Sequence, residues 1–377
     1  MAPRILVFGP AYLDRVLHVD RPLVDPQSSP PLDQSVDGAW KFGDGLTLVD
    51  PNGSEILVSL PNDWPGPNGT IEISGPLGKG LRPHQLPVEG LSWHDDLGGM
   101  GAGYAAAFGG ELISALGSDN DSMSRSIAAE VASLGIVHHP SRLDEQPADW
   151  TLLVTSGRFG DKLPIGFRGC HARWSLPERW LNEPCDLRVV AALPNTLASQ
   201  TLRAKGAAIR FFAPTMRNMT DPICQVAEFA DEIDILSCNR HEWERLPNRE
   251  QIAWRVSILS ITDGENGAEV RFTSPTGEPG HVHVPVFPRE LPPRDTNRAG
   301  EAFASTLVRT LLDHGWRSGV IEESLIRNAA ERAAAAAALE LDMLRFGFPS
   351  PTEVDSALAS GRIPAPDRPE DETADLR

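Results

Sequence analysis

The residues with the most chemical promise lie in the run Asp295-Thr-Asn-Arg-Ala-Gly-Glu-Ala-Phe-Ala304. The run follows an alternating segment, residues 281–286, and opens a long helical pattern. A helix that starts on small residues offers unpaired backbone N–H groups and the positive end of its dipole. That suits a phosphate or a developing oxyanion. The backbone N–H groups of Ala299, Gly300 and Glu301 form such a cradle. The neighbouring Arg298 either reaches the anion or crowds it. The Glu301 carboxylate is placed to take a proton from an attacking hydroxyl. A structural explanation competes: Thr296 or Asn297 caps the helix and Glu301 merely favours its dipole.

A helix start becomes a site when a sheet delivers it. Residues 4–8 (RILVF) form a short apolar run ending at Gly9-Pro10, a buried strand and turn. From Gly98 onward, strand and helix patterns alternate. Residues 103–108 are helix-compatible, and 122–134 read as a helix capped by Asp121 or Ser122. Strands are expected at 151–155, 187–193, 208–213, 233–237 and 258–262. Helices are expected at 196–205, 221–230 and, briefly, 240–246. Residues 269–273 and 281–286 alternate like antiparallel strands, and long helices follow at 299–314 and 321–341. The pattern predicts an α/β fold: a doubly wound, mostly parallel sheet covered on both faces. Ligands in such sheets bind beyond the carboxyl ends of the strands.

Residues 26–90 differ, being rich in Pro, Gly, Asn and Asp. Residues 47–58 read as a hairpin turning at Asn52-Gly53, and 70–74 as a further strand. We read 14–97 as including a β-rich lid within one domain spanning 1–360. Residues 361–377, Pro-rich and charged, are expected to be a disordered tail.

The chain has 377 residues and a net charge of −18. Such acidity disfavours nucleic acid as a partner. No apolar run is long enough to span a bilayer, and residues 1–9 lack a signal-peptide plan. The four cysteines show no metal or disulfide spacing. A cytoplasmic protein with free thiols is expected. The Gly-x-Gly-x-Gly pattern at 99–103 hints at a dinucleotide loop. However, Trp93-His-Asp-Asp-Leu97 before it is not an apolar strand, so that reading is poor. Asn239 and Glu242 have the spacing of a capping box. Gly264 and Gly267 suit a turn, and Asp14 a solvated acid.

Together, from about residue 4 to about residue 355, these motifs resemble those of the ribokinase-like (PfkB) carbohydrate kinase family. The run at 295 is similar to Asp-Thr-x-Gly-Ala-Gly-Asp-x-Phe, matching at Asp295, Thr296, Ala299, Gly300 and Phe303. Arg298 stands where the family has its first Gly, and Glu301 where it has its catalytic Asp. Gly98-Gly99 resembles Gly-Gly-x-x-x-Asn, with Gly103 in the Asn position. Leu116-Gly-Ser-Asp119, Asn239-x-x-Glu242 and Thr262-x-Gly264-x-x-Gly267 match further landmarks in order. Arg217 keeps the last residue of Asp-x-Asn-x-Arg, whereas Ala213 and Thr215 replace the first two polar members.

The resemblance implies ATP and magnesium as cofactors and a small sugar-like substrate. Asp14, Gly98, Gly99 and the Gly103 position would bind substrate hydroxyls. Thr262, Gly264 and Gly267 would hold the nucleotide, and Asn239 and Glu242 magnesium through water. Glu301, with Arg298, Ala299 and Gly300, would carry the chemistry. A lid of this kind pairs in relatives, which implies a homodimer through it. Two functions follow: phosphoryl transfer to a hydroxyl with Glu301 as base, or a catalytically impaired kinase fold kept for binding or regulation.

Overall fold

A computed structural model describes residues 3–18, 45–49, 55–59, 72–74, 93–156, 161–167, 169–291, 293, 295–343 and 345–363. The expected turn at Asn52-Gly53 and the tail beyond 363 lie outside these residues. Two compact units emerge: Met1–Ala11, Leu97–Ala148 and Cys170–Ala365 form the first, and Tyr12–Asp96, Asp149–Gly169 and Pro366–Arg377 the second.

The strands are β1 (Ile5–Phe8), β2 (Tyr12–His18), β3 (Gly45–Val49), β4 (Glu55–Ser59), β5 (Glu72–Ser74), β6 (Trp93–Gly98), β7 (Glu111–Gly117), β8 (Val137–Leu143), β9 (Trp150–Ser156), β10 (Asp161–Phe167), β11 (Cys185–Ala191), β12 (Ala207–Ala213), β13 (Ile235–Asn239), β14 (Ile258–Thr262), β15 (Ala268–Thr273) and β16 (Pro279–Val284). The helices are α1 (Met100–Phe108), α2 (Ser122–Ser133), α3 (Glu178–Leu181), α4 (Asn195–Arg203), α5 (Met216–Met219), α6 (Arg240–Arg245), α7 (Arg249–Ala253), α8 (Ala299–Asp313), α9 (Glu323–Glu340) and α10 (Pro351–Ser360).

Among the described residues, the first unit is built on a nine-stranded sheet in the order β16-β15-β14-β13-β12-β11-β1-β7-β8. Its pairings are parallel from β8 to β14 and antiparallel at β14–β15 and β15–β16. Strand β1, between β11 and β7, is buried along its whole length, as a parallel strand covered on both faces must be. Next to the β16 edge, β15 alternates buried and half-buried residues, the mark of an antiparallel strand with one face more exposed. Phe8, Phe211, Phe212 and Trp243 are fully buried in this core. Arg188, also fully buried, donates from Nη1 to the carbonyl of Thr201 at 3.1 Å and from Nη2 to that of Lys205 at 3.0 Å. It thereby satisfies carbonyls in the last turn of α4 and just beyond it.

The second unit contains the sheet β10-β9-β2-β6 and the antiparallel meander β3-β4-β5. The hairpin and the strand near residue 70 therefore form as expected. Three readings need correction. Residues 93–97 do form a strand, β6, but in this smaller sheet and with Asp95 exposed, so its sequence need not be apolar. Asp14, read as a solvated acid, is half-buried on a strand, β2. Residues 221–230 form no α-helix. The Asp221 side chain accepts hydrogen bonds from the backbone N–H groups of Ile223 (2.8 Å) and Cys224 (3.2 Å). Such local bonds offer the backbone an alternative to the helix, and only short 3₁₀ turns at Val226–Glu228 and Ala230–Glu232 follow. No helix among the described residues is long and apolar enough to cross a membrane.

Candidate active site

The start of α8 is the centre of the site. Asp295, nearly buried, accepts at Oδ1 from the Asn297 backbone N–H (2.9 Å) and at Oδ2 from the Asn297 side chain (3.0 Å). Its own N–H donates to the carbonyl of Leu341 at 3.1 Å. Neither Thr296 nor Asn297 caps the helix. Arg298 holds the N-cap position, with a left-handed φ of 61° and no side-chain cap bond. The first-turn N–H groups of Ala299 and Gly300 lie ahead of the helix's Ala302 N–H bond to the Arg298 carbonyl (2.8 Å). A Cβ on Gly300 would meet nothing within 4 Å, so the approach to them is open.

Arg298 does not point into this opening. Its Nε donates to Oε1 of Glu340 (3.1 Å) and its Nη2 to the carbonyl of Arg345 (2.9 Å). Its guanidinium lies 5.5 Å from the centre of the Phe346 ring. Glu340 is fully buried. Burial pushes its carboxyl up to about 7; Arg298 opposes the shift, while Glu301 and Asp295 add to it.

Glu301 faces α1. A Cβ on Gly103 would sit 3.9 Å from Glu301 Cγ and 3.6 Å from Phe348 Cζ. The next residue, Tyr104, is buried, and its phenol is held well above the usual range by that burial, then by Glu301, Glu242 and Cys238. The α1 tyrosine therefore feels the carboxylates of two separate motifs. Gly99 begins α1 as its N-cap, and Gly98 ends β6.

The loop after β14 forms a second wall. Gly267 has a φ of 84°, and a Cβ there would lie 2.1 Å from the carbonyl oxygen of Val284. Glycine is required at that position. Asn239 and Glu242 form a capping box for α6. The amide oxygen of Asn239 accepts from the Glu242 N–H (2.8 Å), and the Glu242 carboxylate accepts from the Asn239 N–H (3.0 Å). Between these motifs, Arg240 ties α6 to the loop. It pairs with Asp263 at 3.3 Å and with Glu269 at 2.7 Å. Burial pushes Glu269 up, but hydrogen bonds from Arg240 and Arg271 outweigh it and hold the carboxyl below the ordinary range.

A cleft of about 540 Å³ joins the two walls. Thr262, Gly264 and Gly267 line one side and Thr296, Ala299 and Gly300 the other. Phe287, Leu291, Ala334 and Ala337 add an apolar floor. Glycine turns, an open helix N-terminus and an apolar slot suit a ligand with phosphates at one end and a flat ring at the other.

The chain matches the pfkB family carbohydrate kinase over residues 81–352. It belongs to that family. Solved structures with the pfkB fold include ribokinase from Giardia lamblia, with 16% identity, TM-score 0.64, and coverage of 96% of this chain and 99% of that one. The nucleoside kinase of Methanocaldococcus jannaschii is 15% identical, with TM-score 0.61 and coverage of 96% and 99%. Ribokinase from Arabidopsis thaliana, solved with ribose and ATP, is 18% identical, with TM-score 0.58 and coverage of 95% and 99%. No curated protein matches the chain at a significant level.

Of the pfkB landmarks expected from sequence, Thr262, Gly264, Gly267, Ala299 and Gly300 line one cleft, and Gly103 stands beside Glu301. Asn239 and Glu242 are outside the cleft lining and bonded to each other. Asp14 is half-buried on β2 of the second unit. Sequence reasoning passed over Tyr104, Arg240, Phe348 and Glu340. Only Glu340 carried a signal: a charged residue ending the run Ala333–Leu339 at a core position, where unpaired acids are rarely found.

Proposed function

We propose that the protein transfers the terminal phosphoryl group of ATP to a hydroxyl of a small sugar-like or nucleoside substrate, with Glu301 as the base. The observation that carries this reading is the shared cleft. It brings the Thr262–Gly267 loop opposite the open first turn of α8, and Glu301 stands in that turn.

The chemistry needs alignment, charge neutralisation and a base, and little covalent work from the protein. The backbone N–H groups of Ala299 to Glu301 hold the transferring phosphate and stabilise its charge. Thr262, Gly264 and Gly267 seat the nucleotide. Glu301 accepts the proton of the attacking hydroxyl. Arg298 keeps its guanidinium off the phosphate. Asn239 and Glu242 offer the hard oxygen donors magnesium prefers, at the carboxyl end of β13, and would hold it through water. When bound there, the ion neutralises phosphate charge. Asp14, Gly98 and Gly99 are assigned to substrate hydroxyls on the family resemblance alone, as is a lid role for the β-rich stretch within 14–97. Ribose, bound by the Arabidopsis thaliana ribokinase, and inosine, bound by the nucleoside kinase of Burkholderia thailandensis, mark the substrate classes to try first.

The test is a panel of sugars and nucleosides with Mg-ATP, measuring ADP release. Turnover on one compound, lost in Glu301→Gln while nucleotide binding persists, supports the kinase. Binding without turnover on any compound supports a fold retained for ligand recognition.

A further inference from the structure

Arg298 combines two features that work against the site around it. Its left-handed backbone favours glycine. It is the N-cap of a helix whose first-turn residues Ala299 and Gly300 line the cleft. Left to itself, a guanidinium is drawn to phosphate and forks onto it with two donors.

The fold directs it elsewhere, and at some cost. The Glu340 carboxylate is fully buried at the end of α9, and its second oxygen, Oε2, has no hydrogen-bond partner. A buried carboxylate with one oxygen unsatisfied destabilises a core that an apolar residue would fill. Six consecutive alanines, Ala333–Ala338, precede it. The Oε1 of Glu340 takes Arg298 Nε, while the Arg345 carbonyl and the Phe346 ring complete the pocket around the guanidinium.

We propose that Glu340 is a positioning residue for phosphoryl transfer: it holds the Arg298 side chain out of the anion cradle, so the phosphate meets backbone N–H groups as it would beside a glycine. The inference rests on the kinase reading above. An arginine free to grip the phosphate would bind substrate and product alike. Uniform binding of that kind tightens the nucleotide without speeding the chemical step, and it retards release.

The experiment compares the full-length protein with Glu340→Leu and with the double variant Arg298→Gly/Glu340→Leu. Leucine fills the volume but accepts no hydrogen bond. Three quantities are measured: the Mg-ADP dissociation constant by calorimetry, kcat and KM for ATP, and the melting temperature. Glu340→Leu is expected to bind Mg-ADP about tenfold tighter, the scale of one charge-assisted contact, with a lower KM and a lower kcat. Adding Arg298→Gly is expected to reverse both changes. A purely structural Glu340 would change the melting temperature and leave the dissociation constant and the KM-to-kcat split where they were. That result, or a double variant no better than the single, overturns the proposal. If Glu340→Leu alone does not fold, the double variant decides. Mg-ADP affinity close to that of the parent supports the proposal, and lost affinity shows that Arg298 itself gripped the phosphate. A parent protein that does not bind Mg-ADP at all defeats the kinase reading too, whereas a binding parent with unmoved variants defeats this proposal alone.

Discussion

Glu301 and Gly103 depart from the family pattern at neighbouring positions, and we predict that the two departures are complementary. Restoring aspartate with Glu301→Asp withdraws the carboxylate by one C–C bond, about 1.5 Å. A base misplaced by about 1 Å can cost about a hundredfold in rate, or about 2.7 kcal/mol of transition-state stabilisation. Restoring asparagine with Gly103→Asn is the converse. Its Cβ fits at 3.6 Å from Phe348 Cζ and 3.9 Å from Glu301 Cγ, ordinary contacts, but the amide beyond Cβ enters the space the longer glutamate uses. We expect a comparable loss. The double variant should recover most of the activity, because the shorter acid vacates what the amide needs. The assay is kcat/KM for ADP release on the best substrate of the panel, with melting temperatures to confirm folding. Asparagine is no worse than glycine inside a helix, so stability should hold. Independent effects would multiply to about a ten-thousandfold loss. That outcome, or a Glu301→Asp variant as active as its parent, refutes the complementarity.

Other predictions follow from the same geometry. A Cβ on Gly101 would lie 2.4 Å from the carbonyl carbon of Gly9, so Gly101→Ala should push α1 off β1 and lower stability by about 3 kcal/mol, read as a shift in the urea midpoint. Arg240→Ala should free the Thr262–Gly267 loop from α6 and raise KM for ATP by about three- to tenfold, with kcat nearly unchanged. Glu340 titrates near 7 in the fold against 4.5 unfolded, so between those values the folded state binds a proton that the unfolded chain lacks. Its contribution is therefore fully present below about pH 4.5 and is lost as the pH rises to about 7. Glu340→Gln should gain on the parent protein by on the order of 2 kcal/mol between pH 5 and pH 8, measured by urea unfolding at both.

The parts of the fold written in local pattern were legible. β14 matches its expected bounds because an apolar run stops at Thr262-Asp263-Gly264. α8 begins where small residues follow the signature, at Ala299. Legibility failed where side chains compete with backbone or where contacts are remote. Asp221 captures N–H groups that a helix would have used. β2 (YLDRVLH) mixes charges into its pattern, and it pairs with β9, about 140 residues away, to form a strand. In the site, the cleft-lining glycines were readable as turns, but the posture of Arg298 was not. It depends on Glu340, 42 positions later, and no spacing rule spans that distance.

The place of β1 bears on how the chain is made. It emerges before every other described strand, yet it is the strand between β7 and β11, pairing with residues 111–113 on one side and 187–190 on the other. At about 5–20 residues per second, roughly 10 to 40 s pass between the emergence of β1 and that of β11. Through that interval an apolar tetrapeptide destined for full burial waits with one or both edges unpaired, exposed to other nascent chains or to chaperones. The yield of folded protein should therefore depend on translation speed across the stretch of message between β1 and β11, and synonymous codons there become a variable of the protein's physics.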